Sequence, residues 1–285
     1  MIETTLFEDE QGRITGLERQ GDRSDVPLIV AIHGGGCHAG YFDVPGQSLL
    51  DRAQAQGHSI IALNRPGYGA STPLTEGAET LSANADRLAR ALAGIWSARQ
   101  DRSAGIFLVG HSIGGAITTI IAAQPHDLSL IGIAISGVMT TLTPRAAAAW
   151  ASLPRSGWLD VPAESRDVLA YGNDGSFSPE VALLAREANA KSACGEGYDI
   201  AFEWPRRFEA YTGKVQVPVH MRQAACDALW VVDDAELHRF AQSFTRSPLV
   251  DAAIIREVGH CIDHHHIGPE LHDQQLAFAR RMASR

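Results

Sequence analysis

The sequence predicts an α/β protein in which a mostly parallel sheet is covered by helices on both faces. Short continuous apolar runs at residues 27–32, 59–63, 106–109 and 130–135 have the character of strands buried on both sides. Stretches with helical spacing separate them, and that alternation is how a parallel sheet is wound. At 285 residues and 45% hydrophobic content, the chain is long enough for one such domain carrying an insertion.

The elements follow in order. Residues 4–7 and 14–19, joined by the polar turn Asp9-Glu10-Gln11-Gly12, read as an opening antiparallel hairpin. A strand at 27–32 leads to a helix at 47–56 that Gly57 ends, then to a strand at 59–63. Leu81, Ala85, Leu88, Leu92 and Ile95 share one face of a helix of about five turns. The next strand, 106–109, runs through Gly110-His111-Ser112-Ile113-Gly114 into a helix at 116–123, and 130–135 forms another buried strand. From about residue 140 to 214 the pattern breaks. Pro144, Pro154, Pro162, Pro179 and Pro205 divide an Ala- and Trp-rich stretch into short helical pieces with no convincing strand. A structureless loop of that length is improbable in a compact domain, so a helical insertion over the carboxyl edge of the sheet is expected. Strands resume at 215–221 and 250–255, and a last helix runs from Pro269, a good first-turn residue, to Met282.

Composition excludes several functions. With 24 basic and 33 acidic residues the net charge is −9 and no long basic run occurs, so a nucleic-acid partner is not expected. The N-terminus is acidic, without the basic and apolar regions of a secretion signal, and no segment reaches the ~18 apolar residues of a membrane span. The expectation is a cytoplasmic protein with no membrane partner. Cys37, Cys194, Cys226 and Cys261 are scattered and include no C-x-x-C, so they read as reduced thiols. The tract Cys261-Ile262-Asp263-His264-His265-His266 looks metal-binding, yet three consecutive helical histidines cannot face one ion, and no metal is expected.

Four stations carry chemistry. Ser112 falls on a tight strand-to-helix turn, where Gly110 and Gly114 allow close packing and the hydroxyl projects as a nucleophile. His33-Gly34-Gly35-Gly36-Cys37 follows the strand at 27–32. Its glycines suit backbone N–H donors for a developing oxyanion, from Gly35 and Ile113 with Gly36 as a third. Asp227 lies past the strand that follows the insertion, where a carboxylate can fix an imidazole; Asp233 and Asp234 are its rivals but resemble a capped helix start. His260, after Gly259 and the last strand, is the base, because imidazole titrates near neutral pH. His111 is a packing or orienting residue whose side chain points away from that of Ser112.

These residues resemble the α/β-hydrolase superfamily over nearly the whole chain. Gly110-His111-Ser112-Ile113-Gly114 is similar to the nucleophile elbow, His33-Gly34-Gly35-Gly36 to the oxyanion loop, and the order Ser112, Asp227, His260 to the family's triad. Asn64-Arg65-Pro66-Gly67-Tyr68-Gly69-Ala70-Ser71 is similar to a turn that usually begins with Asp, and Gln223-Ala224-Ala225-Cys226-Asp227 replaces the common Gly-x-x-Asp. The resemblance implies an eight-stranded, mostly parallel sheet, with a core of residues 1–139 and 215–285 and a cap at 140–214. It also implies acyl transfer to Ser112 without a cofactor. A carboxylic ester or thioester with an apolar acyl group is the expected substrate. Acyl transfer, cyclisation or elimination at the same site is the alternative, and a non-catalytic ligand-binding receptor is a third. Trp150, Trp158, Trp204 and Phe208, with Phe177, Phe202 and Tyr211, are expected to line the acyl pocket or to pack the cap. Cys226 and Cys261 adjoin the acid and the base, close enough to raise a disulfide, although a reducing compartment favours two thiols.

Overall fold

The chain begins with the antiparallel pair β1 (Thr4–Asp9) and β2 (Gly12–Arg19). The structure is a computed structural model and describes residues 3–125, 127–172 and 175–284. Met1 and Ile2 of the predicted N-terminus, and Asn173 and Asp174 of the predicted insertion, lie outside the described residues. The core then alternates β3 (Leu28–Ile32), α1 (Leu49–Ala55), β4 (Ile60–Leu63), α2 (Leu81–Ser97), β5 (Ile106–His111), α3 (Ile113–Ala123) and β6 (Leu130–Ser136). Side chains set the helix starts: Ser48 accepts from the Asp51 N–H and Thr80 from the Ala83 N–H, satisfying donors that a first turn leaves unpaired. The face of α2 read from spacing, Leu81 to Ile95, is buried throughout.

Between β6 and the next sheet strand lies an excursion of short pieces: α4 (Pro144–Ala151), β7 (Trp158–Leu159), α5 (Ala163–Tyr171), α6 (Pro179–Ala185), β8 (Ser192–Ala193), α7 (Cys194–Tyr198) and α8 (Trp204–Thr212). β9 (Val219–Ala224), α9 (Asp234–Gln242), β10 (Val250–Ile255) and α10 (Gly268–Ala283) complete the fold. Eight strands form one sheet in the order β1-β2-β4-β3-β5-β6-β9-β10. β2 runs antiparallel to β4 at one side, and every pair from β4 to β10 is parallel. The predicted α/β-hydrolase fold, eight-stranded and mostly parallel, is the observed one.

Three boundaries differ from expectation. The strand expected from residue 215 begins at Val219, because Pro218 has no N–H to give a ladder and the Val215 N–H closes the turn after α8 on Thr212. The excursion does contain strand, the two-residue ribbon β7–β8. Finally, α8 packs on α3, and its Trp204 and Phe208 join Phe240 in the main hydrophobic cluster. That last helix therefore packs with the core helices.

Candidate active site

The carboxyl ends of β3, β5, β9 and β10 converge on one cavity of about 180 Å³. Ser112 links β5 directly to α3 with φ 54 and ψ −123, backbone angles that L-residues rarely adopt. It stands at the N-cap of α3, where serine ordinarily accepts from its own helix, yet its side chain makes no capping bond. Gly114 permits this geometry: a Cβ there would fall 2.0 Å from the Ile32 carbonyl oxygen, so only glycine lets α3 start against β3. The freed hydroxyl lies 3.0 Å from His260 Nε2.

His260 Nδ1 lies 2.7 Å from Asp227 Oδ2, and the other oxygen, Oδ1, accepts from the Leu229 N–H at 2.8 Å and the Trp230 N–H at 3.2 Å. Both carboxylate oxygens are engaged, and this assigns the tautomer: Nδ1–H donates to Asp227 and Nε2 accepts from the Ser112 hydroxyl. The departure from Gly-x-x-Asp leaves Asp227 within reach of His260 because the turn after β9 is held by Cys226 N–H to Val258 O at 3.0 Å. Asp233 caps α9 through the Glu236 N–H and Asp234 lies in its first turn, so neither approaches His260.

Gly35 borders the cavity beside Ile113, and a Cβ on Gly35 would lie 3.0 Å from Ile113 Cδ1. Gly36, with φ 67, also borders it, its carbonyl turned to the Ala190 N–H at 2.8 Å. The three predicted oxyanion residues thus line the same cavity as Ser112.

His111 lies beneath His260, edge to face with ring centroids 4.9 Å apart. Its other face stacks on Tyr41 at 4.6 Å, and Nδ1 meets Ser136 Oγ at 3.2 Å. Burial pushes its pKa down to about 3, so it is a neutral ring packed beneath His260. Tyr41 donates to Asp263 at 2.9 Å, and His272 Nε2 lies 3.1 Å from the same carboxyl. Although burial raises the Asp263 pKa, the hydrogen bond from His272 and the surrounding rings hold it well below the ordinary carboxylate value. The histidine tract is structural: His264 bonds the Tyr41 carbonyl, His265 bonds Ser176 and the Gly259 N–H, and His266 is exposed.

Of the predicted pocket aromatics, Trp150 lines the cavity. The other six, Trp158, Trp204, Phe208, Phe177, Phe202 and Tyr211, do not. Trp204 is 1% exposed with its indole N–H on the Met139 carbonyl, Phe208 packs in the core beside it, and Trp158 is 41% exposed against Tyr68. An aromatic-rich segment gives no periodicity that separates a wall residue from a core one. The actual wall includes Leu142, Leu229, Ile200 and Ala201. Among the lining cations, Arg186 pairs with Asp167 at 2.6 Å, and Arg166 donates to the Val161, Gly36 and Ala190 carbonyls. Both Cys226 and Cys261 are thiols; Cys261 lies 3.7 Å from His111 Nε2, and burial pushes its pKa well above the ordinary thiol value.

A family model described as the alpha/beta hydrolase family matches residues 29–271. The chain belongs to the α/β hydrolase family. Among curated proteins, protein phosphatase methylesterase 1 of Pongo abelii is 30% identical over 142 residues, 48% of this chain and 34% of the relative. The hydrolase thus spans about a third of the length of the curated relatives it matches. Its fold is similar to a soluble variant of monoglyceride lipase from Saccharomyces cerevisiae, with TM-score 0.73, 15% identity and coverage of 99% and 95% of the two chains. It is also similar to a thermophilic esterase from Thermogutta terrifontis, with TM-score 0.69, 18% identity and coverage of 99% and 98%. Among the described residues no helix is long and apolar enough to cross a membrane.

Sequence reading assigned no role to Arg65, Glu196, Tyr41 or Asp263, all buried around the site. The brace on Asp227 did have a signal, since Asp side chains commonly accept from the backbone two residues on, and Asp227-Ala228-Leu229 has that form.

Proposed function

We propose that this hydrolase is a serine esterase that cleaves a carboxylic ester or thioester carrying a compact apolar acyl group. The observation that carries the reading is the continuous chain Ser112–His260–Asp227, at 3.0 and 2.7 Å, on the floor of a cavity walled by apolar side chains. His260 Nε2 takes the Ser112 proton as Oγ attacks the acyl carbon, and Asp227 stabilises the imidazolium that forms. Backbone N–H groups of Gly35 and Ile113 receive the oxyanion, His260 returns the proton to the leaving oxygen or sulfur, and water activated by the same ring releases the acyl group. The methylesterase relative supports an ester over other acyl compounds.

Cavity size supports a small acyl group. An apolar cavity of ~150 Å³ holds one benzene, and the volume here is about 180 Å³. With Arg186 and Arg166 already engaged, the wall favours a neutral group over a carboxylate. The test is hydrolysis of p-nitrophenyl esters of graded chain length. Butanoate should outrun palmitate, and Ser112→Ala and His260→Ala should each lose about 10⁴-fold or more in kcat. Wild-type rates in Ser112→Ala would refute the reading. Rapid acylation followed by very slow release would move the assignment to transfer onto another acceptor.

A further inference from the structure

The carbonyls of the oxyanion loop are held from behind by a buried arginine. Arg65, fully buried just after β4, donates through Nε to His33 O at 3.1 Å and through Nη2 to Gly34 O at 2.9 Å. His33 Nδ1, at 2.8 Å, shares the Gly34 oxygen. The remaining Arg65 nitrogen, Nη1, lies 2.7 Å from Glu196 Oε2 on α7, and both side chains are sealed from solvent. Tyr68 donates to the same oxygen at 2.8 Å with its ring under the guanidinium, and Asn84 donates to Glu196 Oε1 at 2.9 Å.

A trans peptide points its C=O and N–H in opposite directions. Drawing the Gly34 carbonyl onto Arg65 therefore turns the Gly35 N–H away from the guanidinium, and Gly35 borders the cavity beside Ser112. We propose that Arg65 and Glu196 are a positioning pair for the oxyanion hole, through which the helical excursion sets the direction of the Gly35 N–H. The inference rests on the serine-esterase reading. Stability alone does not account for the pair, because desolvating two charges costs about as much as their attraction returns and apolar residues of similar volume often serve as well. Only a planar fork can hold two successive carbonyls; a lysine, with one compact charge, cannot. The excursion grips the loop at a second point, where the Ala190 N–H and Arg166 both donate to Gly36 O.

The test compares wild type with Arg65→Lys, Glu196→Gln and the apolar double variant Arg65→Met/Glu196→Leu. Active sites are counted by fluorophosphonate titration, so that loss of folded enzyme is separated from loss of rate. For a short oxoester and its thionoester, kcat per titrated site should fall about tenfold to a hundredfold in each variant, with KM changed by less than about threefold. The oxoester-to-thionoester rate ratio should shrink, because sulfur gains less from the N–H donors that the loop aims. The double variant should regain thermal stability without regaining rate. If kcat per site and the ratio stay at wild-type values, the positioning role is overturned while the esterase reading stands. If the wild type neither turns over the esters nor takes fluorophosphonate on Ser112, both fall together.

Discussion

Ser112 occupies a backbone region with φ 54 that costs a non-glycine residue on the order of 1–3 kcal/mol, and it forgoes the helix-capping bond open to it. What it gains is an Oγ directed at His260 Nε2. Its position was legible from sequence because the constraint is local: two glycines, an apolar strand before and a helix after. Asp227 was less legible, since the residues around it depart from the familiar pattern and its reach depends on a tertiary bond between residues 226 and 258. Asp227→Asn should lower kcat by about 10⁴-fold, as an amide facing Nδ1 favours the wrong tautomer. Asp233→Asn should leave kcat unchanged, because asparagine caps a helix about as well. Steady-state rates on one ester decide between them, and a collapse confined to the Asp233 variant would place the acid on α9.

Among elements, those whose pattern reflects burial on a sheet were read correctly, and those whose neighbours are distant in sequence were not. The stripe on α2 and the apolar β3, β4, β5 and β6 follow from periodicity. α8 has an apolar face of the same kind, but nothing local says that this face meets α3 rather than the cavity, so Trp204 and Phe208 were misplaced. Trp150, whose ring would meet a Cβ on Gly197 at 2.3 Å, forms a wall between α4 and α7. Trp150→Ala should open the cavity and move the ester preference toward longer acyl chains, while costing about 2–4 kcal/mol in a urea melt. An unchanged chain-length profile would remove Trp150 from the acyl wall. At the β3–α3 junction, Gly114→Ala should lower both stability and kcat, read by the same melt and assay, because its methyl group has no room beside Ile32 O.

For the whole molecule, the parallel sheet brings four separate strand ends to one cavity, and the folded chain buries several neutral imidazoles. His111 and His220 are each pushed down by burial to about 3, and His265 to about 4. Unfolded, these rings protonate near 6.5, so the unfolded chain binds more protons below that pH. Stability is thus complete above about 6.5 and is lost as pH falls toward 3–4. His111 alone should account for a loss on the order of 2 kcal/mol between pH 7 and pH 5. Urea midpoints at those two pH values check it, and equal midpoints would show that these rings protonate freely in the folded protein. The central claim, that Ser112 carries the acyl group, is tested most directly by mass spectrometry of the protein after brief reaction with a fluorophosphonate and peptide mapping of the adduct. One adduct per chain on the peptide containing Ser112, absent in Ser112→Ala, is the predicted result; no adduct, or one on Cys37, Cys261 or another residue, would contradict it.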